Sequence, residues 1–407
     1  MPAIRSMDDL DLARKRAVIR IDLNVPVEAG EVSDLTRIER VLPTIREAAD
    51  KAAAIVLLAH FERPKGKVVP EMSLKPVVTA LARTLGRPVD FVATDWHDDP
   101  VGKARSAKSP IVLMENTRFH PGEEANDPQF ARLLAGLGDV YINDAFSAAH
   151  RAHASTEGIA RLLPAAAGRA MEAELAALER ALKSPARPLL AIVGGAKIST
   201  KLELLSNLIA NVDTLVIGGG MANTFLAANG AGVGSSLCEH DLLGTARDIM
   251  REAAAKNRAI LLPSDAVLAR ELKKGADVRI APVTAVRADE MILDIGPATA
   301  GQVNDAVDRA ATLVWNGPFG AFEIEPFDRG TLAVARNVAG RTRDGRLISI
   351  AGGGDTVAAL NRAGVANDFT YVSTAGGAFL EWLEGKTLPG VKVLEWDHQR
   401  QATGHRP

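Results

Sequence analysis

The fold is decided by the run Leu-Leu-Ala-Ile-Val-Gly-Gly-Ala-Lys at residues 189–197. Five consecutive apolar residues are typical of a strand that is buried on both faces of a parallel sheet. The two glycines that follow allow the backbone to approach a ligand closely, and a helix is predicted over residues 197–210. A strand, a glycine turn and a helix in succession predict an open α/β sheet.

The same alternation continues along the whole chain. We therefore expect an α/β fold with two doubly wound, mainly parallel-sheet (Rossmann-like) domains. Residues 171–182 carry leucines at helical spacing, with Pro185 and Pro188 beyond them, and form the predicted inter-domain helix and hinge. The other strands are predicted at residues 17–21, 54–58, 111–114, 140–142, 215–217, 260–262, 313–315, 347–350 and 369–372.

Composition narrows the class of protein. A chain of 407 residues with 47% hydrophobic content is too long for one ordinary core, which again favours two domains. The net charge of -2 provides no basic field for nucleic acid. Cys238 is the single cysteine, which excludes a disulfide framework within the chain. Because the sequence has neither an apolar signal stretch nor a run of about 18 apolar residues, we expect a soluble, cytoplasmic protein without a membrane partner.

Glycine runs follow predicted strands four times in the second half. Tight packing between a strand and a helix explains any single run, but four of them favour backbone contact with phosphates. After the third run, Asp355 can hold Mg²⁺ beside nucleotide phosphates and the Thr356 hydroxyl can reach a phosphate, although helix capping explains Asp355 equally well. The runs are Gly194-Gly195, Gly218-Gly219-Gly220, Gly352-Gly353-Gly354 and Gly376-Gly377.

Two lysines stand next to the first of these runs. Lys197 and Lys201 are four residues apart and share one face of the predicted helix. Such a pair either binds an anion between its ammonium groups or belongs to a solvated surface, and both interpretations stay open. Two commoner nucleotide motifs fail: G-x-G-x-x-G is absent, and Gly385-Lys386-Thr387 ends like a P-loop but has Leu380 where the first glycine should stand.

Basic side chains are scattered over the loops of the first half. Arginine offers a planar fork that binds phosphate and carboxylate through two hydrogen bonds, so a cluster of them suits a small, highly charged anion, although each arginine alone is more often a surface residue. His120, His150 and His153 lack a carboxylate at metal-binding spacing, and we expect no metal there. The candidates are Arg37, His60, Arg63, Arg118 and Arg151, with Asp22 and Asn24 directly after the first strand.

Longer motifs stand in a fixed order along nearly the whole chain. In the first half they are Ile21-Asp22-Leu23-Asn24-Val25-Pro26, Asp34-Leu35-Thr36-Arg37-Ile38, His60 with Arg63-Pro64-Lys65-Gly66, Glu115-Asn116-Thr117-Arg118-Phe119, and Asn143-Asp144-Ala145-Phe146 before Ala149-His150-Arg151-Ala152-His153-Ala154-Ser155. In the second half they are Gly194-Gly195-Ala196-Lys197, Gly218-Gly219-Gly220-Met221-Ala222, Trp315-Asn316-Gly317-Pro318, Gly352-Gly353-Gly354-Asp355-Thr356 and Leu388-Pro389-Gly390-Val391. In this order they resemble the phosphoglycerate kinases.

The resemblance implies an enzyme with one substrate on each domain. It implies a 3-phosphoglycerate-binding domain at 1–168, with a C-terminal tail of about 390–407 packed back on it, and a Mg-nucleotide domain at 169–389. The acid would be bound by Asp22, Leu23, Asn24, Arg37, His60, Phe61, Glu62, Arg63, Arg118 and Arg151. The nucleotide would be bound by Lys201, Glu323 at the ribose, Gly353, Gly354, Asp355 and Thr356, with Asp355 as the ligand of Mg²⁺.

The resemblance also implies the reaction, a reversible in-line transfer between 1,3-bisphosphoglycerate and ADP that gives 3-phosphoglycerate and ATP. Arg37 and Lys197 would neutralise the moving phosphoryl group, Gly376 and Gly377 would cradle it, and a monomer would close about its hinge. The net direction, glycolytic or carbon-fixing, depends on cellular flux. A nicotinamide-dependent oxidoreductase lacks its fingerprint here, and an inactive nucleotide-binding scaffold would lack Arg37 or Lys197.

The sequence departs from the family pattern at a few positions. Phe61 and Glu62 stand where the family usually has Leu-Gly, which brings a carboxylate near the anion site, and we expect Glu62 to point away from the anion. Thr200 replaces a common aspartate. Ala375 and Phe379 alter the usual Thr-Gly-Gly-Gly-Ala-Ser run, which puts one backbone contact to the transferring group in doubt.

Overall fold

The structure is a computed structural model and describes residues 4–395. Contacts between Cα atoms divide the chain into two compact units. The first unit contains residues 4–175 and 387–395, and the second contains Ala176–Lys386. No helix in the described part of the chain is both long and apolar enough to cross a membrane.

The first unit is built around a six-stranded parallel sheet. Its strands are β1 (Arg16–Arg20), β2 (Val27–Glu28), β3 (Glu31–Val32), β4 (Ala54–Leu58), β5 (Asp90–Val92), β6 (Ile111–Met114), β7 (Val140–Asn143) and β8 (Ala165–Ala167). Its helices are α1 (Thr36–Lys51), α2 (Lys75–Leu85), α3 (Pro100–Arg105), α4 (Pro128–Ala135) and α5 (Arg169–Leu182), the last of which continues into the second unit. The sheet order is β5-β6-β4-β1-β7-β8, while β2 and β3 form an antiparallel hairpin.

Strand β1 lies in the middle of this sheet because the chain turns first to β4 on one side and later to β7 on the other. Ile19 pairs with Leu57 of β4 and with Ile142 of β7, and all three are buried. Parallel pairing brings the carboxyl ends of the three strands to one edge. Open α/β sheets bind their ligands at this edge, at the point where the strand order reverses.

The second unit contains a second six-stranded parallel sheet and a small antiparallel one. Its strands are β9 (Leu189–Val193), β10 (Thr214–Ile217), β11 (Ala259–Leu261), β12 (Asp265–Ala269), β13 (Arg279–Pro282), β14 (Met291–Ile295), β15 (Thr312–Asn316), β16 (Ile348–Gly352) and β17 (Tyr371–Ser373). Its helices are α6 (Leu202–Asn211), α7 (Gly219–Ala228), α8 (Leu243–Ala255), α9 (Pro297–Arg309), α10 (Arg329–Arg343), α11 (Gly354–Ala363) and α12 (Gly377–Leu383). The large sheet has the order β11-β10-β9-β15-β16-β17, which is the Rossmann arrangement. The strand order reverses between β9 and β15.

The predicted α/β alternation is confirmed, but several short strands were not predicted. All ten strands predicted from apolar runs are present, with ends within about two residues of the predicted ones. Strand β8 consists of three alanines and β5 contains only two apolar residues, so neither has the signal of a buried strand. The sheet β13-β12-β14 was also missed, although β12 and β14 are apolar runs. Strand β13 has a weaker signal, since only one of its four residues, Ala281, is buried.

The predicted helix over residues 197–210 is wrong at its start. Helix α6 begins at Leu202, and residues 197–201 form a turn in which Lys201 N–H donates to Ile198 O at 2.8 Å. Buried Ile198 anchors this turn. Lys197 and Lys201 therefore do not share a helical face.

The last described residues belong to the first unit. After Thr387 the chain forms a short helix, α13 (Pro389–Lys392). Gly390 N–H donates to Ala149 O at 2.8 Å, and Arg5 N–H donates to Leu394 O at 3.0 Å. Residues 390–395 of the predicted tail thus contact the first unit, and residues 396–407 lie outside the described part of the chain.

Candidate functional site

The loop after β1 holds an ion pair at the carboxyl edge of the first sheet. Arg37, in the first turn of α1, donates to Asp22 Oδ2 at 2.5 Å, and the Ser147 hydroxyl donates to the same oxygen at 2.6 Å. Asp22 Oδ1 accepts from Asn24 N–H at 3.0 Å. Asp22 thus uses its carboxylate to orient Arg37, whose side chain keeps 31% of its surface exposed.

A second set of hydrogen bonds holds the loop after β4. Glu62 N–H donates to Asn24 Oδ1 at 3.0 Å, and Glu62 O accepts from Arg118 Nη1 at 2.7 Å. Glu62 itself is exposed and has a φ of 52°, a left-handed conformation in which glycine is more stable. The backbone here therefore explains why a glycine is usual at this position, and Glu62 adopts the strained geometry without one.

Asn116 anchors the same loop from below. Its Nδ2 donates to Phe61 O at 2.6 Å and its Oδ1 accepts from Phe61 N–H at 3.2 Å. Both backbone groups of Phe61 are therefore occupied, and its side chain is buried, as is that of Leu23. These two residues support the loops, since their side chains lie in the core of the first unit.

His60 belongs to a buried polar network. Arg20 Nη2 lies 2.7 Å from His60 Nδ1, and Arg20 Nε donates to Ser155 Oγ at 2.9 Å. The Ser155 hydroxyl and N–H in turn donate to the two oxygens of Glu123, at 2.5 and 3.0 Å. Arg20, Ser155, Glu123 and the Nδ1 atom of His60 each have a partner, and such pairing stabilises a buried network.

The cluster is electrostatically positive. Burial lowers the pKa of His60 well below its usual value, and the charges of Arg20 and Arg118 lower it further. Burial and then Arg118 lower the pKa of His153 to about 3. Burial also lowers the pKa of Arg118 to about 10, although Glu124, 3.2 Å from its Nε, opposes this. The pKa values of His60, His153 and Arg118 are all lowered because their surroundings disfavour positive charge. A bound anion would offset this positive charge.

The remaining predicted residues of the first unit differ in exposure. Arg151 is half-buried and donates from Nε to His150 Nε2 at 3.1 Å, whereas Arg63 is exposed. Arg118 lies in a single helical turn, Thr117–Phe119, which Asn116 caps by accepting from its N–H at 3.1 Å. The loops after β1, β4, β6 and β7 thus contribute basic side chains to the same edge of the sheet.

In the second unit, the loop after β9 meets the loop after β15, at the point where the strand order reverses. A Cβ atom on Gly194 would lie 1.9 Å from Pro318 O, and one on Gly317 would lie 2.3 Å from Gly194 O. Only glycine fits at either position. Gly317 also has a φ of 99°, which favours glycine for a second reason.

Lys201 lies under these loops. Its Nζ donates to Gly194 O at 2.5 Å and to Asn316 Oδ1 at 2.6 Å. Burial lowers its pKa to about 8, although the carboxylate of Asp355 opposes this. Among residues 4–395 the half-buried Lys201 ammonium contacts only neutral acceptors, so its charge has no counter-ion in direct contact.

Helix α11 begins at the end of β16. Gly353, just before it, has a φ of 96°. The buried Thr356 hydroxyl accepts from Gly317 N–H at 2.7 Å and thereby ties the loop after β15 to the first turn of α11. Asp355 is exposed beside it. The free N–H groups and positive end of the helix dipole suit phosphate oxygens.

Lys197 is exposed in the turn before α6. That turn is held by Glu239, whose carboxylate accepts from Ser199 N–H at 3.1 Å and from the Ser199 hydroxyl at 2.5 Å. Thr200 Oγ1 donates to Lys197 O at 2.9 Å. The Lys197 side chain therefore belongs to an ordered turn and not to the predicted helix that it would have shared with Lys201.

Gly376 and Gly377 precede α12. Gly376 has a φ of 50°, and a Cβ atom there would meet nothing within 4 Å. Among residues 4–395 we find no acceptor for the N–H groups of Gly376 or Gly377, whereas Ala375 N–H donates to Ser373 Oγ at 3.1 Å. The two glycine amides are thus open and the alanine amide is occupied.

A cavity of about 370 Å³ lies beside these loops within the second unit. Its lining consists of glycine backbone and apolar side chains. Glu323 and Asp355 contribute carboxylates to the lining. The size and the mostly apolar lining are typical of a small-molecule site. Its lining includes Gly195, Gly219, Gly220, Leu237, Leu272, Met291, Leu293 and Phe319.

Sequence reasoning missed several polar residues that the structure places in the two sites. Arg20 had a signal, since it is a charged residue inside an apolar strand. Asn316 lay within a quoted motif but was given no role. Ser147 and Glu123 had no local signal, because their partners are more than thirty residues away.

Comparison with known proteins decides the family. The sequence model of the family "Phosphoglycerate kinase" matches residues 7–386. This chain belongs to the phosphoglycerate kinase family. It is 60% identical over 398 residues to the phosphoglycerate kinase of Mesorhizobium japonicum, covering 97% of this chain and 100% of that one. It is 61% identical over 392 residues to that of Sinorhizobium fredii, covering 96% and 98%.

Solved structures agree with the sequence relatives. The phosphoglycerate kinase of Coxiella burnetii superposes with a TM-score of 0.89 at 43% identity, covering 98% of this chain and 100% of that one. The enzyme of Pyrococcus horikoshii superposes with a TM-score of 0.81 at 28% identity, covering 96% and 98%. The predicted family and fold are confirmed, and so is the activity: the chain is a phosphotransferase that moves a phosphoryl group between ATP and 3-phosphoglycerate.

Proposed function

We propose that this phosphoglycerate kinase binds 3-phosphoglycerate on the first unit and the magnesium nucleotide on the second. The observation that carries the assignment is the contrast between the two strand edges. The first edge presents basic side chains around Arg37, His60 and Arg118, and the second presents glycine backbone, a helix N-terminus and an apolar cavity. The apolar cavity beside the second edge offers a surface on which a purine can bury its ring.

On the first unit, the substrate has two anionic ends for two groups of residues. Arg37, oriented by Asp22, together with Asn24, suits the carboxylate that becomes the acyl phosphate. His60, Arg63, Arg118 and Arg151 suit the 3-phosphate. Leu23, Phe61 and Glu62 contribute by holding the loops, since Phe61 has no free backbone group and the Glu62 backbone is occupied by Asn24 and Arg118.

On the second unit, the base enters the cavity between the glycine wall and Leu237, Leu272 and Met291. Glu323, on the cavity rim, accepts hydrogen bonds from the ribose hydroxyls. The phosphates then extend towards Gly353, Gly354 and Thr356 at the start of α11. Lys201 gains an anionic partner in place of neutral acceptors, which favours its protonated form.

The residues present fit one Mg²⁺ held mainly by the nucleotide. Within residues 4–395 there is no group of three or more His, Cys, Asp or Glu side chains that can hold a metal ion. Mg²⁺ commonly uses one or two carboxylates together with phosphate oxygens and water, and Asp355 supplies one such carboxylate. When bound, the ion neutralises charge on the phosphates.

The transfer itself needs positioning and charge neutralisation more than covalent chemistry. Arg37 and Lys197 are the exposed cations assigned to the moving phosphoryl group, and the open amides of Gly376 and Gly377 cradle its oxygens. Because the substrates bind to separate units, in-line transfer requires the units to approach and to exclude water. The residues around α5 are the proposed hinge. Every proposed ligand comes from one chain, so a monomer suffices, and we place it in the cytoplasm.

The test is a coupled assay of ATP-dependent turnover of 3-phosphoglycerate, with and without EDTA. We expect turnover that EDTA abolishes and that added Mg²⁺ restores. Asp355→Asn should raise the Mg²⁺ concentration needed for half-maximal rate. Asp344→Asn, which changes an exposed aspartate directly after the last residue of α10, is the matched control. Turnover that EDTA leaves unchanged, or an equal magnesium requirement in both variants, would contradict the proposal.

A further inference from the structure

Arg20 is a charged residue in the middle of a buried sheet. It is the last residue of β1 and is fully buried, with 0% of its surface exposed. Its guanidinium donates to three groups, Ser155 Oγ, the carbonyl of Ile21 and His60 Nδ1. Such burial makes direct contact with a substrate impossible without rearrangement, so the role of Arg20 must pass through a neighbour.

The contact with His60 fixes the protonation of the ring. A guanidinium nitrogen can only donate a hydrogen bond, so His60 Nδ1, at 2.7 Å, must accept and cannot carry a proton. The single ring proton is then on Nε2. Among residues 4–395 we find no acceptor for Nε2, and its hydrogen is available for a ligand.

We propose that Arg20 is a positioning residue that holds His60 as the neutral Nε2–H tautomer, ready to donate to an oxyanion of the bound acid. This rests on the proposed function, in which His60 contacts 3-phosphoglycerate. The lowered pKa of His60, caused by burial and then by Arg20, agrees with a neutral ring. Arg118, Arg151 and His153 also face the ring and oppose its protonation.

The rest of the network keeps Arg20 in place. Ser155 stands between the guanidinium and Glu123, accepting from Arg20 Nε and donating to Glu123 Oε1. The Glu123 carboxylate balances the buried charge through this hydroxyl. A guanidinium spans Ser155, Ile21 and His60 at once because its donors are fixed in a planar fork, whereas a single amide cannot enforce which nitrogen of His60 accepts.

The first experiment uses the unaltered protein and records the ¹⁵N resonances of the His60 ring by NMR at neutral pH. We expect a protonated Nε2 and an unprotonated, hydrogen-bonded Nδ1. A protonated Nδ1, alone or in an imidazolium ion, would overturn the proposal. This measurement needs no variant and therefore does not depend on whether a substituted protein folds.

The second experiment compares Arg20→Gln with Arg20→Lys and with the control Arg16→Gln, which changes an arginine at the opposite end of the same strand. We expect Arg20→Gln to populate the other tautomer and to raise KM for 3-phosphoglycerate about tenfold or more, with KM for ATP unchanged. Arg20→Lys keeps a charged donor, so its tautomer and its KM for 3-phosphoglycerate should lie close to those of the unaltered protein. Arg16→Gln should change neither KM. An unaltered tautomer and KM in folded Arg20→Gln would contradict the proposal.

Adding 3-phosphoglycerate to the unaltered protein separates this inference from the assignment beneath it. If the ring has the expected tautomer and its Nε2 resonance shifts on binding, both stand. If the tautomer is as expected but 3-phosphoglycerate leaves the ring resonances unchanged, the assignment of His60 to the acid fails, and with it the proposed use of the tautomer.

Discussion

At the scale of single residues, Arg37 combines an anchored position with a partly exposed side chain. Asp22 holds its guanidinium, and Ser147 holds Asp22. This arrangement fixes the position of a positive charge in advance. In the proposed role of Arg37, no reorganisation is then needed when charge develops in the transition state.

We predict that Arg37→Ala lowers kcat by roughly 100-fold or more while changing both KM values far less, because its charge is needed most in the transition state. Steady-state kinetics with each substrate varied in turn measure this. Arg46→Ala, an exposed arginine further along α1, is the control and should behave like the unaltered protein. Activity of Arg37→Ala equal to that of the control would remove Arg37 from the reaction.

Lys201 gives a prediction with a definite pH window. Its pKa is about 8 in the free protein, so it is protonated below pH 8 and increasingly neutral above it. If the ammonium form binds phosphate, Kd for ADP should rise above pH 8 by up to about tenfold per pH unit, since binding then requires proton uptake. Titration calorimetry at pH 7, 8 and 9 measures this. Lys201→Arg should bind ADP with little dependence on pH, and a rise equal to that of the unaltered protein would count against the assignment.

At the scale of elements, the proposed nucleotide site depends on how the ends of β9, β15 and β16 meet. The loop after β15 passes so close to the loop after β9 that Gly194 and Gly317 leave no room for a side chain. Thr356 then joins the β15 loop to α11 through one hydrogen bond. A change in this bond should therefore act on two elements together.

We predict that Thr356→Val weakens ADP binding about tenfold and lowers the free energy of unfolding by about 1–3 kcal/mol, because it leaves the Gly317 N–H unpaired in a buried position. Thr356→Ser keeps the hydroxyl and serves as the matched control, with values close to those of the unaltered protein. Calorimetry and urea denaturation give the two quantities. Equal losses in the two variants would show that the hydroxyl is not responsible.

At the scale of the whole molecule, the two units carry different chemistry on similar sheets. We predict that ADP with Mg²⁺ slows amide hydrogen exchange in the loops after β9, β15 and β16 of the second unit. 3-Phosphoglycerate should slow exchange after β1 and β4 of the first unit. At 100 times Kd the protection should approach about 100-fold, which corresponds to about 2.7 kcal/mol. Mass spectrometry of peptides from each unit reads this out, and protection of the first unit by ADP alone would contradict the division.

Much of this molecule was predictable because the relevant signals are local. A buried parallel strand is a short apolar run, a phosphate loop is a glycine run, and both can be recognised in neighbouring residues. The start of α6 was predicted five residues too early because Lys197 and Ser199 are compatible with a helix, and only Ile198 and Glu239 make a turn there.

The sequence by itself determined the fold class and the family, and it predicted the loops proposed to carry the chemistry. Tertiary structure alone decided the contacts that give those loops their properties. Arg20 and His60 are 40 residues apart, and Gly194 and Gly317 come from strands that are neighbours only because of the strand order. The tautomer of His60 depends on a partner from a neighbouring strand, and the lowered pKa of Lys201 depends on burial. No local pattern encodes such partners, because a side chain is tuned by what surrounds it in space.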